Sequence, residues 1–233
     1  MKKKLCGLIG IILSILVLIY FETTIYKLIS IIGININNYS NIAKLSINII
    51  IKLLMCFMIF LIYKKDFKSR KRSNDNLLKV LLQFIVILIS VVIGMYLFNY
   101  VINFLGDIFN INVLKHEFYN IFNKKLDIYL IIKIISDYII IPFLYCSVII
   151  LSIDKLFKRN NTCILLTGVL ASIVNAISLS GTLGFVIINS LYTFLLFSIL
   201  MFIYKKHYNI YFIISLYSFY LISSNFIISY LGW

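Results

Sequence analysis

Charge is scarce in this sequence, and proline, glycine and histidine are scarcer still. Of 233 residues only 13% are charged, against about 25% in a soluble domain. The single proline and nine glycines exclude a disordered, linker-like chain. The apolar runs are about 17–25 residues long, which excludes the strand-sized runs of a parallel α/β enzyme. What is present is hydrophobic: 62% of the residues are apolar and the mean hydropathy is +1.04. The composition defines an all-α, polytopic bundle of transmembrane helices forming one domain over residues 1–233.

Seven spans are expected, at 5–21, 45–63, 77–105, 128–153, 163–180, 184–204 and 210–231. The net charge of +14 would suggest a nucleic-acid partner in a soluble protein, but its placement speaks against one. With the N-terminus inside, 15 of the 22 basic residues fall on inner segments, around Lys2–Lys4, Lys64–Lys79, Lys155–Arg159 and Lys205–Lys206. Five lie outside, and Lys52 and Lys133 lie within spans. This is the positive-inside pattern of a multi-pass cell-membrane protein, with a cytoplasmic N-terminus and an extracellular C-terminus. Its first partner is therefore the lipid bilayer.

The start, Met1-Lys2-Lys3-Lys4 and then an apolar run, resembles a signal peptide. No small-residue cleavage site follows, so the run reads as an uncleaved first span. Residues 25–36 are too short to cross and read as an interfacial or re-entrant piece. Residues 111–122 place Ile111, Leu114, Phe118, Ile121 and Phe122 at helical spacing and read as an outer amphipathic helix. Cys6, Cys56, Cys146 and Cys163 lack the close spacing of a metal site or disulfide framework.

Polar residues inside spans are where function shows, because a charge at a span centre costs about 2.5–3.5 kcal/mol on insertion scales. The fourth span carries Lys133 and Asp137 four residues apart, on one helical face. They either neutralise each other or serve a ligand or proton. The same span holds the one proline, Pro142, where a kink is expected. Gly168, Ser172 and Ala176 form a small-residue ridge suited to close helix packing. Asn175 lies beside that ridge, and Asn99, Asn103, Asn189 and Asn225 lie in the outer halves of their spans. Interhelical hydrogen bonding and a polar, water-filled pocket both account for these asparagines. The candidate ligand positions are Lys133, Asp137, Asn175 and Asn225.

No catalytic residue, metal ligand or cofactor is assigned. His116 and His207 fall on opposite sides in this topology, so one metal cannot take both. His116-Glu117-Phe118-Tyr119-Asn120 is the zinc helix motif His-Glu-x-x-His with its last ligand replaced. Asp137 is the one acid within a span, whereas an aspartyl protease needs two carboxylates sharing a proton. A thiol or hydroxyl nucleophile needs an adjacent base, and no histidine lies within a span.

From residue 73 to the C-terminus the order of segments resembles the bacterial CAAX protease and bacteriocin-processing family of intramembrane metalloproteases. A basic loop precedes a long span and a polar amphipathic segment. A span then runs into the basic stretch Asp154-Lys155-Leu156-Phe157-Lys158-Arg159, followed by a small-residue span. The next span closes with Phe202-Ile203-Tyr204-Lys205-Lys206, and Tyr208-Asn209-Ile210-Tyr211 opens the last helix. The resemblance implies a protease-like bundle over 73–233, preceded by the spans at 5–63. Its working residues do not carry over. The family's Glu-Glu pair and Arg fall near Pro142, Phe143 and Ser147, and its first histidine near Asn175. Its final His and Asn fall at Tyr217 and Leu221. The expected protein is thus a pseudoenzyme binding a hydrophobic peptide, a lipid-linked ligand or a partner membrane protein, in bacteriocin self-immunity or regulation of a neighbouring ABC exporter. A transporter subunit using Lys133 and Asp137, and a peptidase of altered chemistry using Cys146, are the alternatives.

Overall fold

A computed structural model describes residues 7–8, 12, 40–67, 77–108, 128–157, 159–179 and 183–231. The expected first span (apart from Gly7, Leu8 and Ile12), the interfacial piece at 25–36 and the amphipathic segment at 111–122 lie outside the described residues. Among the described residues every regular element is helical, with no strand. The elements are α1 (Asn41–Phe67), α2 (Leu77–Ile108), α3 (128–156), α4 (Asn160–Ser178), α5 (Leu183–His207) and α6 (Ile210–Leu231). Five of them are long and apolar enough to cross a bilayer, and α6 contributes a further apolar stretch, Ile210–Ser224. The chain is an all-α, multi-pass membrane protein.

The helices alternate in direction, and their basic ends meet. Lys155 near the end of α3 pairs with Asp66 at the end of α1, at 2.6 Å. Asp154 on α3 pairs with Lys205 near the end of α5, at 2.5 Å. Lys155 also lies 4.3 Å over the Tyr63 ring, a cation–π contact. α6 starts at the same end, after a tight turn in which Tyr208 takes a φ of 51° and Asn209 caps the Phe212 N–H at 3.2 Å. His207 closes α5 with its ring stacked on Phe212 at 4.9 Å. α2 joins α6 through Phe84, whose ring meets Phe212 at 5.3 Å and Phe219 at 5.7 Å. Gly7 rests on the same end of α3, where a Cβ would come within 2.6 Å of Leu156.

α3 is the central helix. Residues from Cys146 through Ile153 are buried without a break, whereas α1 and α2 turn Leu54, Phe57, Val86 and Leu97 outward, towards lipid. Its backbone is not uniform. It widens into π-helical turns at Ser136–Ile140 and Cys146–Ile150. Pro142 accounts for the first of these. It has no N–H, and its ring would press on the carbonyl four residues back. The preceding turn shifts register, with the Ile141 N–H reaching the Ser136 carbonyl. The second π turn lies beside Ser152, whose hydroxyl donates to the Val148 carbonyl. That donation uses the single serine proton, so Tyr63 is the donor in its 2.6 Å bond to Ser152 Oγ. Tyr63 itself interrupts α1, with φ −104° and ψ 15°.

α4 and α5 form the closest pair. Gly168 makes the approach possible: a Cβ there would stand 2.7 Å from the Phe194 carbonyl oxygen and overlap the Ser198 hydroxyl. The buried stripe of α4 runs through Cys163, Thr167, Gly168, Ala171 and Val174. Of the expected small-residue ridge, Gly168 is in this stripe. Ser172 and Ala176 stand partly exposed at its margin, with Ser172 donating to the Val169 carbonyl at 2.8 Å.

Candidate functional site

Two of the candidate residues flank the first π turn. Lys133 stands at the end of the helical stretch Ile128–Ile135, and Asp137 is the second residue of the π turn. Both are partly buried. Between them in sequence is Ser136, buried, whose hydroxyl accepts a 3.2 Å hydrogen bond from Lys52 Nζ of α1. Lys52 lies about 16 Å along α1 from its start, at 1.5 Å per residue. This is well inside a helix that is about 40 Å long. The result is a patch of two lysines, one carboxylate and one hydroxyl shared by α1 and α3 within the apolar part of the bundle. A π turn opens the carbonyl ladder and is frequent at functional sites, and charges retained in a membrane segment face protein or water rather than lipid.

Asn175 is placed differently. Its amide donates to Thr193 Oγ1 at 2.9 Å and to the Asn189 carbonyl at 3.3 Å. Thr193 in turn donates to that carbonyl at 2.8 Å. The Asn189 amide bonds the Phe185 carbonyl at 2.9 Å. Asn175 therefore joins α4 to α5, the interhelical role open to it from the sequence. The Asn225, Asn99 and Asn103 side chains lie outside the described residues, as does His116.

Pro142, Phe143, Ser147, Asn175, Tyr217 and Leu221, where the resemblance would put catalytic groups, include no acid or base. Cys146 and Ser147 are fully buried in the second π turn. Tyr217 lies within electrostatic range of Cys146, Tyr145 and Tyr192, and a phenol at neutral pH is not the base that a thiol nucleophile needs. Among the described residues no group of three or more His, Cys, Asp or Glu is close enough to hold a metal ion.

Lys52 and the tyrosine cluster are what reading the sequence missed. Lys52 was visible as a lysine within a span, but nothing linked it to Ser136. The tyrosines carried a signal too. Tyrosine favours the membrane–water boundary, whereas Tyr145, Tyr192 and Tyr217 sit mid-helix. The chain was compared with protein-family models, curated proteins and solved structures, and it matches none of them.

Proposed function

We propose that this is a non-catalytic membrane protein that binds a hydrophobic peptide, a lipid-linked ligand or a partner membrane protein at the polar patch between α1 and α3. The observation that carries this reading is the Lys52–Ser136 hydrogen bond beside Lys133 and Asp137. Such a patch costs several kcal/mol to insert, and a ligand that uses it offsets that cost. The resemblance to the CAAX protease and bacteriocin-processing family supplies the setting: a bacterial pseudoenzyme of the cell membrane, acting in bacteriocin self-immunity or on a neighbouring ABC exporter. The buried Cys146 and Ser147, flanked by phenols, favour binding over peptidase chemistry.

The basic ends of α1, α3 and α5 meet at one face of the bundle, which by the positive-inside rule is the cytoplasmic one. Reporter fusions after Arg72 and Trp233 then read opposite sides. A sensitive host carrying the gene should survive the peptide secreted by the strain the gene comes from, and Lys52→Met should abolish survival without lowering membrane abundance. Equal killing with and without the gene would refute the immunity reading. The second reading, a transporter subunit, is favoured by the same lysine, because a proton or substrate path needs more than one self-neutralising pair.

A further inference from the structure

The lysines at the basic ends of α3 and α5 each hold a carboxylate, Lys155 that of Asp66 and Lys205 that of Asp154. Lys52, within the apolar length of α1, does not. Its ammonium donates to the Ser136 hydroxyl at 3.2 Å, and among the described residues it has no carboxylate partner. Asp137 is the next residue after Ser136, yet Lys52 bonds the neutral hydroxyl. That bond takes one of the three ammonium donors and leaves the charge uncompensated. With Lys52 and Lys133 set against Asp137, two cations meet one anion and the patch carries a net charge of +1. α6, which also packs on the first π turn, has no charged residue over 210–231 to balance it.

The depth of the patch follows from the helices that carry it. The Asp66–Lys155 pair marks the basic end of both. From there α1 rises about 21 Å to Lys52 and α3 about 28 Å to Ser136, at 1.5 Å per residue. A bilayer core is about 30 Å thick, so the patch lies in the half away from the basic ends. With those ends cytoplasmic, as proposed above, that half is the outer leaflet. The patch is also open at its edges. Lys52, Lys133 and Asp137 keep part of their surface accessible, and Leu53 and Ile135, next to Lys52 and Ser136, are exposed. Lipid therefore reaches the rim, and a long lysine arm can carry its charge to a headgroup there.

We propose that the patch binds a lipid of single negative charge from the outer leaflet, with its headgroup phosphate between Lys52 and Lys133 and its tails on the exposed apolar sides of α1 and α3. This rests on the patch being the binding site and names what it takes. One negative charge matches the net +1. Asp137 repels a second, and the lysines repel the cation of a zwitterionic headgroup.

Phosphatidylglycerol and phosphatidylcholine with identical acyl chains test this, because they differ in the headgroup alone. Native mass spectrometry of the full chain in detergent counts bound lipids one by one. The first phosphatidylglycerol should bind about five- to tenfold tighter than the first phosphatidylcholine, between the worth of an exposed ion pair and that of a charged hydrogen bond. Lys52→Met should remove that preference, whereas Lys52→Arg should keep it. Lys65→Met, exposed at the basic end of α1, should also keep it, which separates the patch from the loops. Asp137→Asn should tighten phosphatidylglycerol further, a gain that misfolding cannot produce. The headgroup without tails, glycerophosphoglycerol, should not displace the lipid at equal concentration. Displacement would assign the patch to a soluble anion and overturn the proposal, as would a preference that survives Lys52→Met. Equal binding of the two lipids overturns it even where Lys52→Met abolishes host survival. A preference that depends on Lys52 upholds it even where survival is unaffected.

Discussion

Replacing Gly168 by alanine tests the packing of α4 on α5 with a single methyl group. That methyl would stand 2.7 Å from the Phe194 carbonyl oxygen and 2.8 Å from Phe194 Cδ2. Ordinary non-bonded contacts are about 3.5–4.0 Å, so α5 must retreat by close to an ångström. Forcing one extra carbon into a filled interface costs about 1–3 kcal/mol. Gly94 is the internal control: it lies within α2, and a Cβ there meets nothing within 4 Å. Alanine at that position removes a flexible residue from a helix and should gain about 0.5–1 kcal/mol. The two variants, identical in composition, should move in opposite directions. Cys146 and Cys163 are fully buried, so the rate at which a thiol reagent labels them on heating reports unfolding. Gly168→Ala should lower the midpoint by about 2–12 °C and Gly94→Ala should raise it by about 1–4 °C, at roughly 2–4 °C per kcal/mol for this chain length. Equal shifts, or a tolerated Gly168→Leu, would refute the close packing.

Three further outcomes follow from local geometry. Lys205 and Asp154 pair at 2.5 Å with side chains 8% and 24% exposed, so Lys205→Met should cost about 1–3 kcal/mol by stranding the carboxylate. Adding Asp154→Leu should recover most of that loss, read by the same thermal assay. At Tyr208, whose φ is 51°, glycine should be about 1–2 kcal/mol more stable than alanine, since both lose the ring and only alanine keeps the left-handed penalty. Tyr63→Phe should release Ser152 from α1 and cost about 1 kcal/mol, measured by the same labelling.

The helices were legible because length and apolarity decide them. The expected spans at 184–204 and 210–231 differ from α5 and α6 by a few residues at most. The span expected at 163–180 begins three residues earlier, at Asn160, since the polar Asn160-Asn161-Thr162 joins the first turn of α4. Interior irregularities were less legible. Pro142 announced a disturbance, but that it would take the form of a register shift depends on how α3 packs against its neighbours. The patch was half legible: Lys133 and Asp137 share one helix, so spacing reveals them. Lys52 reaches Ser136 across 84 positions of sequence, and no periodicity encodes that meeting. The tyrosine cluster draws on three helices and was hidden for the same reason.

The most direct test of the α1–α3 patch is the double change Lys133→Met with Asp137→Leu, set beside each single change. It removes one charge of each sign, so the net charge of the patch is unchanged and Lys52 keeps its bond to Ser136. Membrane abundance is measured by immunoblot, and activity by survival of a sensitive host under peptide challenge. If the patch binds the ligand, the double variant accumulates like the unaltered protein and fails to protect. A double variant that accumulates and still protects would show that the two charges only neutralise each other, and would contradict the proposed function.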